Sequence, residues 1–425
     1  MVRERLKGFL KVENIDVALD KLLSKVKVRI DVQHVRIRDA VGRVAAKDVV
    51  APHDYPPFNR AAVDGFAVRS SDTFGASPNN PAPLRYIGTI DTSVIKSTCA
   101  VVNKLPALRE GEAYLIFTGA PLPKGADAVV PLENTIVRNN TILVLSQVPP
   151  LANVSRRGED FRKGDTILRK GTRVMPWHVA ALAQANISYI DVFRPIRIAI
   201  VNTGDELIEV GDNGPGIINS TGPLIESYAK LNGCEVLRLG IVEDEVNKIK
   251  EAIERGLKVA DVVIVTGGSS VGGRDVVPEA LSSIENAELV FHGVNLRPGR
   301  TAGAYVVNGK PVLMLSGLPV ACFVGLEVFL KPLIHYLLGT QPSPKVTVKA
   351  VLTRRVANVV GYRSFYRVKV FRGSDGRLYA EPLRLTGSGI ISTLIRGNAI
   401  LVIPENVEGF EEGTEVEVEL IGPIE

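Results

Sequence analysis

The run Val262-Val-Ile-Val265, followed at once by Thr266-Gly-Gly-Ser-Ser-Val-Gly-Gly-Arg-Asp275, constrains this chain more than any other stretch. Four branched aliphatic residues without a polar interruption read as a strand buried on both faces, the pattern of a parallel sheet covered by helices. The glycines after it let the backbone turn sharply and let a ligand approach it closely. Successive free N–H groups then form a concavity suited to an anion. Ligands of open α/β sheets sit beyond the carboxyl ends of the strands, which is where this loop falls. The plain alternative is a flexible glycine loop. Four glycines beside two serine hydroxyls, directly after a buried strand, favour a cradle for an anionic, phosphorylated small molecule, contacted by Gly267, Gly268, Ser269, Ser270 and Gly272. Asp275 closes the loop. A carboxylate beside a phosphate needs a cation between them, which points to Mg2+. A carboxylate at a helix N-terminus would be stabilised without one.

The neighbouring segments extend this reading. A strand is expected over residues 196–201, leading into Thr203-Gly-Asp-Glu206. Residues 222–231 read as a helix stopped by Asn232-Gly233. A strand at 235–239 precedes Asp244 and a helix reaching about residue 258. Strands alternating with helices imply a largely parallel, wrapped sheet. Asp205 and Glu206 then follow one strand and Asp244 the next, so that carboxylates converge on one rim with Asp275, as a divalent metal or a general base requires. Asp and Glu are also common helix caps, so a lone Gly-Asp-Glu is weak. Three coincident strand ends are stronger.

On either side the patterning changes. Apolar residues at Val12, Ile15, Ala18, Leu19, Leu22, Leu23 and Val26 predict an amphipathic helix over 12–26. The loop Pro52-His-Asp-Tyr-Pro-Pro-Phe58 cannot continue a helix. Short apolar runs between turn residues from 67 to 147 read as a small β-rich domain, and a short helix over 176–185 starts at Pro176. Strand-like runs at 346–351, 366–370, 399–403 and 416–420 make a small all-β carboxy-terminal domain, linked through Gln341-Pro-Ser-Pro344.

Composition sets limits. A chain of 425 residues exceeds one ordinary core and implies several domains. With 45% hydrophobic and 23% charged residues it is globular. A net charge of +5 and 6% aromatics, with no dense basic tract, argue against a nucleic-acid partner. Cys99, Cys234 and Cys322 have no C-x-x-C spacing, which argues against a disulfide framework or a zinc site. Residues 1–10 lack the apolar segment of a secretory signal, and no apolar run approaches a membrane span. A soluble, cytoplasmic protein with no membrane partner is expected.

Three further motifs are ambiguous alone. Ala62-Val-Asp-Gly-Phe66 could be an Asp-Gly hairpin turn, Thr118-Gly-Ala-Pro-Leu-Pro123 another turn, and Arg156-Arg-Gly-Glu-Asp160 a surface ion-pair cluster. In order with Thr203-Gly-Asp-Glu-Leu207, the loop ending at Asp275 and Arg297-Pro-Gly-Arg300, they cover nearly the whole chain. Together they resemble the molybdopterin molybdenumtransferases of the MoeA type, similar to the E domain of gephyrin.

The resemblance implies a multidomain α/β plus β fold. The chain would be elongated and form a homodimer, with a discontinuous linker domain (1–50 and 150–195), a β-rich domain (51–149), a three-layer α/β molybdopterin-binding domain (196–340) and a carboxy-terminal β-barrel-like domain (345–425). It implies adenylated molybdopterin and molybdate or tungstate as substrates, release of AMP with Mg2+ assisting, and contact with molybdopterin adenylyltransferase. The residues it marks as catalytic are Asp64, Thr118, Asp160, Glu206, Asp244 and Asp275. Substrate contacts would add Thr203, Gly204, Asp205, Asn219 and the glycine loop. Molybdate is an oxyanion, so Arg297, Arg300, Arg363 and Arg367 are candidates for its pocket, with Ser388 as a hydroxyl donor. Asp205, Glu206, Asp244 and Asp275 would hold Mg2+. The cleft would lie between the α/β domain and the Asp64 and Asp160 region of the other subunit.

The chain departs from the family in places. Arg297 and Arg300 stand where lysines are common, and Gly293 falls where a lysine is often found. Met314-Leu-Ser-Gly-Leu-Pro319 replaces a Gly-Leu-Pro-Gly-Asn-Pro loop. Such changes would suit tungstate handling. A gephyrin-like scaffold and an adenylyltransferase-like step are the rival readings. The first wants extra interaction segments, and the second would not need the Asp64, Thr118 and Asp160 motifs.

Overall fold

The computed structural model describes residues 12–93, 105–267, 276–342, 344–383 and 387–424. The chain divides into two compact units. One is His34–Val192; the other joins the residues up to Gln33 to Phe193–Glu425.

Helix α1 (Ile15–Lys25) belongs to the second unit. Asn14 caps it, its side-chain oxygen accepting from the amides of Asp16 (2.9 Å) and Val17 (3.3 Å). Its buried stripe is Ile15, Ala18 and Leu22. That stripe lies against the strands Ala287–His292 and Gly303–Val307 of the α/β sheet, whereas the sequence grouped this segment with residues up to 50.

Unit His34–Val192 holds a six-stranded sheet: β1 (Gly65–Val68), β2 (Ala82–Ile90), β3 (Glu112–Ile116), β4 (Ala128–Pro131), β5 (Thr135–Arg138) and β6 (Thr141–Val144), in the order β4-β1-β3-β2-β6-β5. Side chains alternate across it. Ala67, Ile90, Ile116 and Val129 enter one core, and Phe66, Val68, Leu84 and Val144 another. A separate small core joins Ala40 and Ala45 to Leu168, Val174, Ile190 and Leu182, the last from helix α2 (Pro176–Gln184).

In the other unit a second six-stranded sheet comprises β7 (Arg197–Thr203), β8 (Glu235–Val242), β9 (Val262–Thr266), β10 (Ala287–His292), β11 (Gly303–Val307) and β12 (Lys310–Leu315). Its order is β8-β7-β9-β12-β11-β10. The first four are parallel, and β11 pairs antiparallel with β12 on one side and with β10 on the other. The reversal sits at Asn308-Gly309, whose φ values of +51° and +81° make a two-residue hairpin turn. Helices α3 (Thr221–Leu231), α4 (Val246–Val259), α5 (Val276–Ser282), α6 (Pro319–Gly325) and α7 (Lys331–Leu338) accompany the sheet. α4 packs with α5 and α3 with α6, one pair per face, giving three layers. Ala199, Val201, Val263 and Val265 pack on Ile249, Ile253, Val277 and Leu281. Each buried Val, Ile or Leu contributes about 1.5–3 kcal/mol, so the central strand, at most 1% exposed from Val262 to Val265, anchors the layer.

α6, a π turn (Leu326–Leu330) and α7 run on as one helix of 20 residues, Pro319–Leu338. Pro332 lacks an N–H, and its ring would crowd a regular helical carbonyl; the π turn just before it relieves that clash. This corrects the expectation that no apolar run approaches a membrane span, since the helix is long and apolar enough to cross one. In the fold most of it is buried, and Glu327 accepts from the Tyr228 hydroxyl (2.7 Å) and Lys331 (3.2 Å).

The carboxy-terminal strands β13 (Thr347–Leu352), β14 (Arg363–Arg372), β15 (Leu378–Pro382), β16 (Ala399–Ile403) and β17 (Glu415–Leu420) pair in the order β14-β15-β13-β17-β16, and β16 returns to β14 to close a barrel. Leu296 and Arg297 pair with Arg363 and Ser364 of β14. That pairing ties the arginine loop of the α/β domain to the barrel.

Candidate active site

Three adjacent parallel strands share one ending. β7 ends in Thr203 before Gly204, β9 in Thr266 before Gly267, and β12 runs into Ser316-Gly317. Gly267 has φ +98°, and a Cβ on it would lie 2.1 Å from the Thr203 carbonyl oxygen. No side chain fits there. A Cβ on Gly317 would sit 3.6 Å from the Gly267 Cα. Bare backbone and hydroxyls therefore form one wall of a cavity of about 870 Å3. Arg297, Arg300, Tyr362 and Ser388 line it too, and Leu207, Ile217, Leu296, Leu318 and Val359 make it apolar between them. Such a cavity suits a ligand with an anionic group and a large apolar body.

A buried polar network holds the strand-end wall. Asn202 Nδ2 donates to the Thr266 hydroxyl (2.6 Å), and Asn219 Nδ2 donates to Asn202 Oδ1 (3.0 Å). Asn219 Oδ1 accepts from the Gly222 amide (3.0 Å). These side chains are at most 1% exposed, and a satisfied buried network is rigid.

Carboxylates gather at the same rim. Glu206 lines the cavity. Asp205 Oδ1 accepts from the Asp244 amide at 3.0 Å. Oδ1 of Asp244 and the hydroxyl of Thr203 are buried without a hydrogen bond among the described residues. Burial raises the Asp244 pKa above the usual carboxylate range; the nearby Thr203 hydroxyl opposes the rise, and the charges of Asp205 and Glu206 add to it. No group of three His, Cys, Asp or Glu side chains among the described residues is arranged to hold a metal. Gly268, Ser269, Ser270, Gly272 and Asp275 lie outside the described residues.

Two expected arginines are engaged elsewhere. Arg363 makes a forked pair with Asp16 (3.0 and 2.7 Å) and a further one with Glu405 (2.9 Å). It joins β14 to the first turn of α1. Arg367 is fully buried on β14, donating to the Thr393 hydroxyl (3.1 Å) and the Phe365 carbonyl (2.9 Å), and burial lowers its pKa. Neither lines the cavity. Gly293 is buried with φ +87°, a conformation that disfavours any side chain. The backbone of this chain thus explains why no lysine stands there.

In the unit His34–Val192, Asp64 Oδ1 accepts from both the amide and the hydroxyl of Thr118, each at 2.7 Å. These two donors hold the exposed carboxyl below its usual range. Asp160 is exposed. Its loop is fixed by Asp54, which accepts from Arg157 Nε (2.6 Å) and the Lys163 amide (2.9 Å).

Sequence reasoning did not select Ser316 and Tyr362 as site residues. Ser316 carried a signal, since a hydroxyl and a glycine directly after a buried apolar run recur at β7 and β9. Tyr362 carried none, because only the barrel's pairing with Leu296–Arg297 brings it to the cavity.

Fold and cavity define a three-layer α/β domain, preceded in the chain by a β-rich region and followed by a barrel. Family models match each part: "MoeA N-terminal region (domain I and II)" over residues 13–185, "Probable molybdopterin binding domain" over 199–336 and "MoeA C-terminal region (domain IV)" over 349–421. A Methanocaldococcus jannaschii protein provisionally named for molybdopterin biosynthesis is 37% identical, covering 95% of this chain and 96% of its own. The molybdopterin molybdenumtransferase of Bacillus subtilis is 34% identical, covering 92% and 90%. The crystal structure of the molybdopterin biosynthesis moeA protein from Pyrococcus horikoshii OT3 superposes with a TM-score of 0.80 at 32% identity, covering 96% of this chain and 100% of that one. The chain belongs to the MoeA family.

Proposed function

We propose that this protein is a molybdopterin molybdenumtransferase. It takes adenylated molybdopterin and an oxyanion, molybdate or tungstate, breaks the phosphoanhydride, releases AMP and leaves the metal on the pterin dithiolene. The observation that carries the reading is the cavity. Its strand-end wall offers close backbone approach at Gly267 and Gly317, and two arginines with Ser388 also line it. Phosphate approaches Thr203 and Thr266 at the strand ends. Arg297 and Arg300 hold the oxyanion, with Ser388 donating a hydroxyl. Relatives 34% identical along nearly the whole chain, named for this activity, support the assignment.

The rim carboxylates would receive a divalent cation only together with the substrate's phosphates, since no three His, Cys, Asp or Glu side chains among the described residues are arranged to hold one. Asp244 keeps a buried oxygen without a partner among the described residues, and burial, with the charges of Asp205 and Glu206 adding to it, raises its pKa. Asp205, Glu206 and Asp244, with Asp275, would hold Mg2+, which would neutralise charge on the leaving phosphate. Glu206 orients the reacting groups from the cavity wall. Asp64, Thr118 and Asp160 act in a homodimer, contributed by a second copy of the chain. The protein works in the cytoplasm and receives its substrate from molybdopterin adenylyltransferase.

The test is incubation with adenylated molybdopterin, MgCl2 and molybdate, followed by chromatography of nucleotides. AMP release supports the reading. Consumption of ATP to adenylate free molybdopterin would replace it with the adenylyltransferase step.

A further inference from the structure

Between β7 and α3 the chain makes a long excursion. The short strands Leu207–Ile208 and Ile217–Ile218 pair in parallel at its base, and Leu207 and Ile217 give the cavity two of its apolar lining residues. Residues 210–218 are exposed, so burial does little to hold them. One side chain ties the excursion inward. The Glu209 carboxylate accepts from Arg238 Nη2 through both oxygens (2.7 and 2.6 Å). Arg238 stands on β8, opposite Ile200 of β7, and its Nε is buried without a partner among the described residues. Asn219 Nδ2 lies 3.5 Å from Glu209 Oε1, so the ion pair continues the amide network that runs through Asn202 to the Thr266 hydroxyl on the cavity wall. A Cβ on Gly222, in the first turn of α3, would lie 2.7 Å from Asn202 Oδ1, 2.9 Å from Asn219 Nδ2 and 3.0 Å from Arg238 Nη2. All three side chains converge on that one point.

We propose that Glu209 and Arg238 are positioning residues: their ion pair latches the excursion 207–218 to the strand-end network, so that Leu207 and Ile217 stand as an apolar wall against the ring system of the ligand. An isolated surface pair would hold little. Here the side chains are only 29% and 35% exposed, the hydrogen bonds are charge-assisted, and the neighbouring buried amides fix the geometry. A wall ordered before the ligand arrives removes part of the entropy that binding would otherwise lose. It grips the ligand equally before and during reaction, so it acts on affinity and not on the chemical step. The inference rests on the proposed reading of the cavity as the site for adenylated molybdopterin.

The experiment compares wild type, Glu209→Ala, Arg238→Met and the double variant in the AMP-release assay, varying adenylated molybdopterin and molybdate in turn. Each single variant is expected to raise the KM for adenylated molybdopterin about 3- to 30-fold, between the worth of an exposed pair and that of a charge-assisted hydrogen bond. The molybdate KM and kcat should move less than about twofold, as loss of uniform binding requires. The double variant goes no further than either single one, because the two residues act as a unit. An unchanged KM for adenylated molybdopterin, an equal rise in the molybdate KM, or additive effects in the double variant would each overturn the proposal. Hydrogen exchange reads the latch without turnover. The amides of Ile217 and Asn219 donate to the carbonyls of Glu206 (2.7 Å) and Ile208 (2.9 Å), and they should exchange faster in either single variant. Wild-type protection in both would show that the pair holds nothing. A wild type that releases no AMP would sink the enzymatic reading, and the exchange result would still decide the latch.

Discussion

At Gly267 two constraints meet: a positive φ and a carbonyl oxygen 2.1 Å from where a Cβ would stand. Gly267→Ala must shift the end of β9 away from β7. We predict a loss of at least about 1–3 kcal/mol, read by denaturant unfolding, together with loss of AMP release; wild-type activity in this variant would contradict the strand-end assignment. Asp261 sets a pH prediction. Burial opposes its charge, but hydrogen bonds from Arg194 (2.6 and 2.8 Å) and the Arg197 amide (2.8 Å) outweigh it and leave the pKa lowered. A depressed folded pKa gives stability that is present above the unfolded carboxylate pKa and is lost as pH falls through the folded value. Asp261→Asn should therefore cost about 3–5 kcal/mol near neutrality, and the gap to wild type should close in acid below the ordinary carboxylate range. A gap that stays constant into acid would show that the charge is not what matters. At this scale the sequence was informative where chemistry follows the chain, as at Thr203-Gly204. It gave no sign of the Arg363–Asp16 pair or of Tyr362 beside the cavity, because Asp16 and the arginine loop are remote from them in sequence.

Among the elements, helix α1 depends on local chemistry at its start and on distant packing along its side. Asn14→Ala removes the acceptor for two amides. We expect a loss of about 1 kcal/mol, measured by thermal unfolding, with no change in helix position by crystallography. The helical period of its apolar residues was plain in the sequence. The surface it covers was not, because periodicity says that a face is buried and not what buries it. The parallel strand β9 was legible from its uninterrupted apolar run, and β7 and β8 from short apolar stretches alternating with helices. The antiparallel edge was missed, although Asn308-Gly309 between apolar runs is a strong hairpin signal. Closure of the barrel by β16 returning to β14 has no local signature, since pairing between strands that far apart depends on the whole domain.

For the whole molecule, two compact units and three family matches describe one multidomain protein. The further claim is assembly. Sedimentation equilibrium should give twice the chain mass, and a mixture of Asp64→Ala chains with Asp244→Ala chains should regain activity that neither has alone, because each would supply the residue the other lacks. Mixtures without activity would argue against a site shared by two copies. The most direct test of the central claim counts metal against nucleotide. Purified protein is given adenylated molybdopterin, Mg2+ and molybdate, and the pterin fraction is analysed for molybdenum as AMP is quantified. The account predicts AMP release that requires the oxyanion, with one molybdenum on pterin for about each AMP freed, as coupling by one transition state demands. AMP release at the same rate without oxyanion, leaving the pterin free of metal, would contradict it.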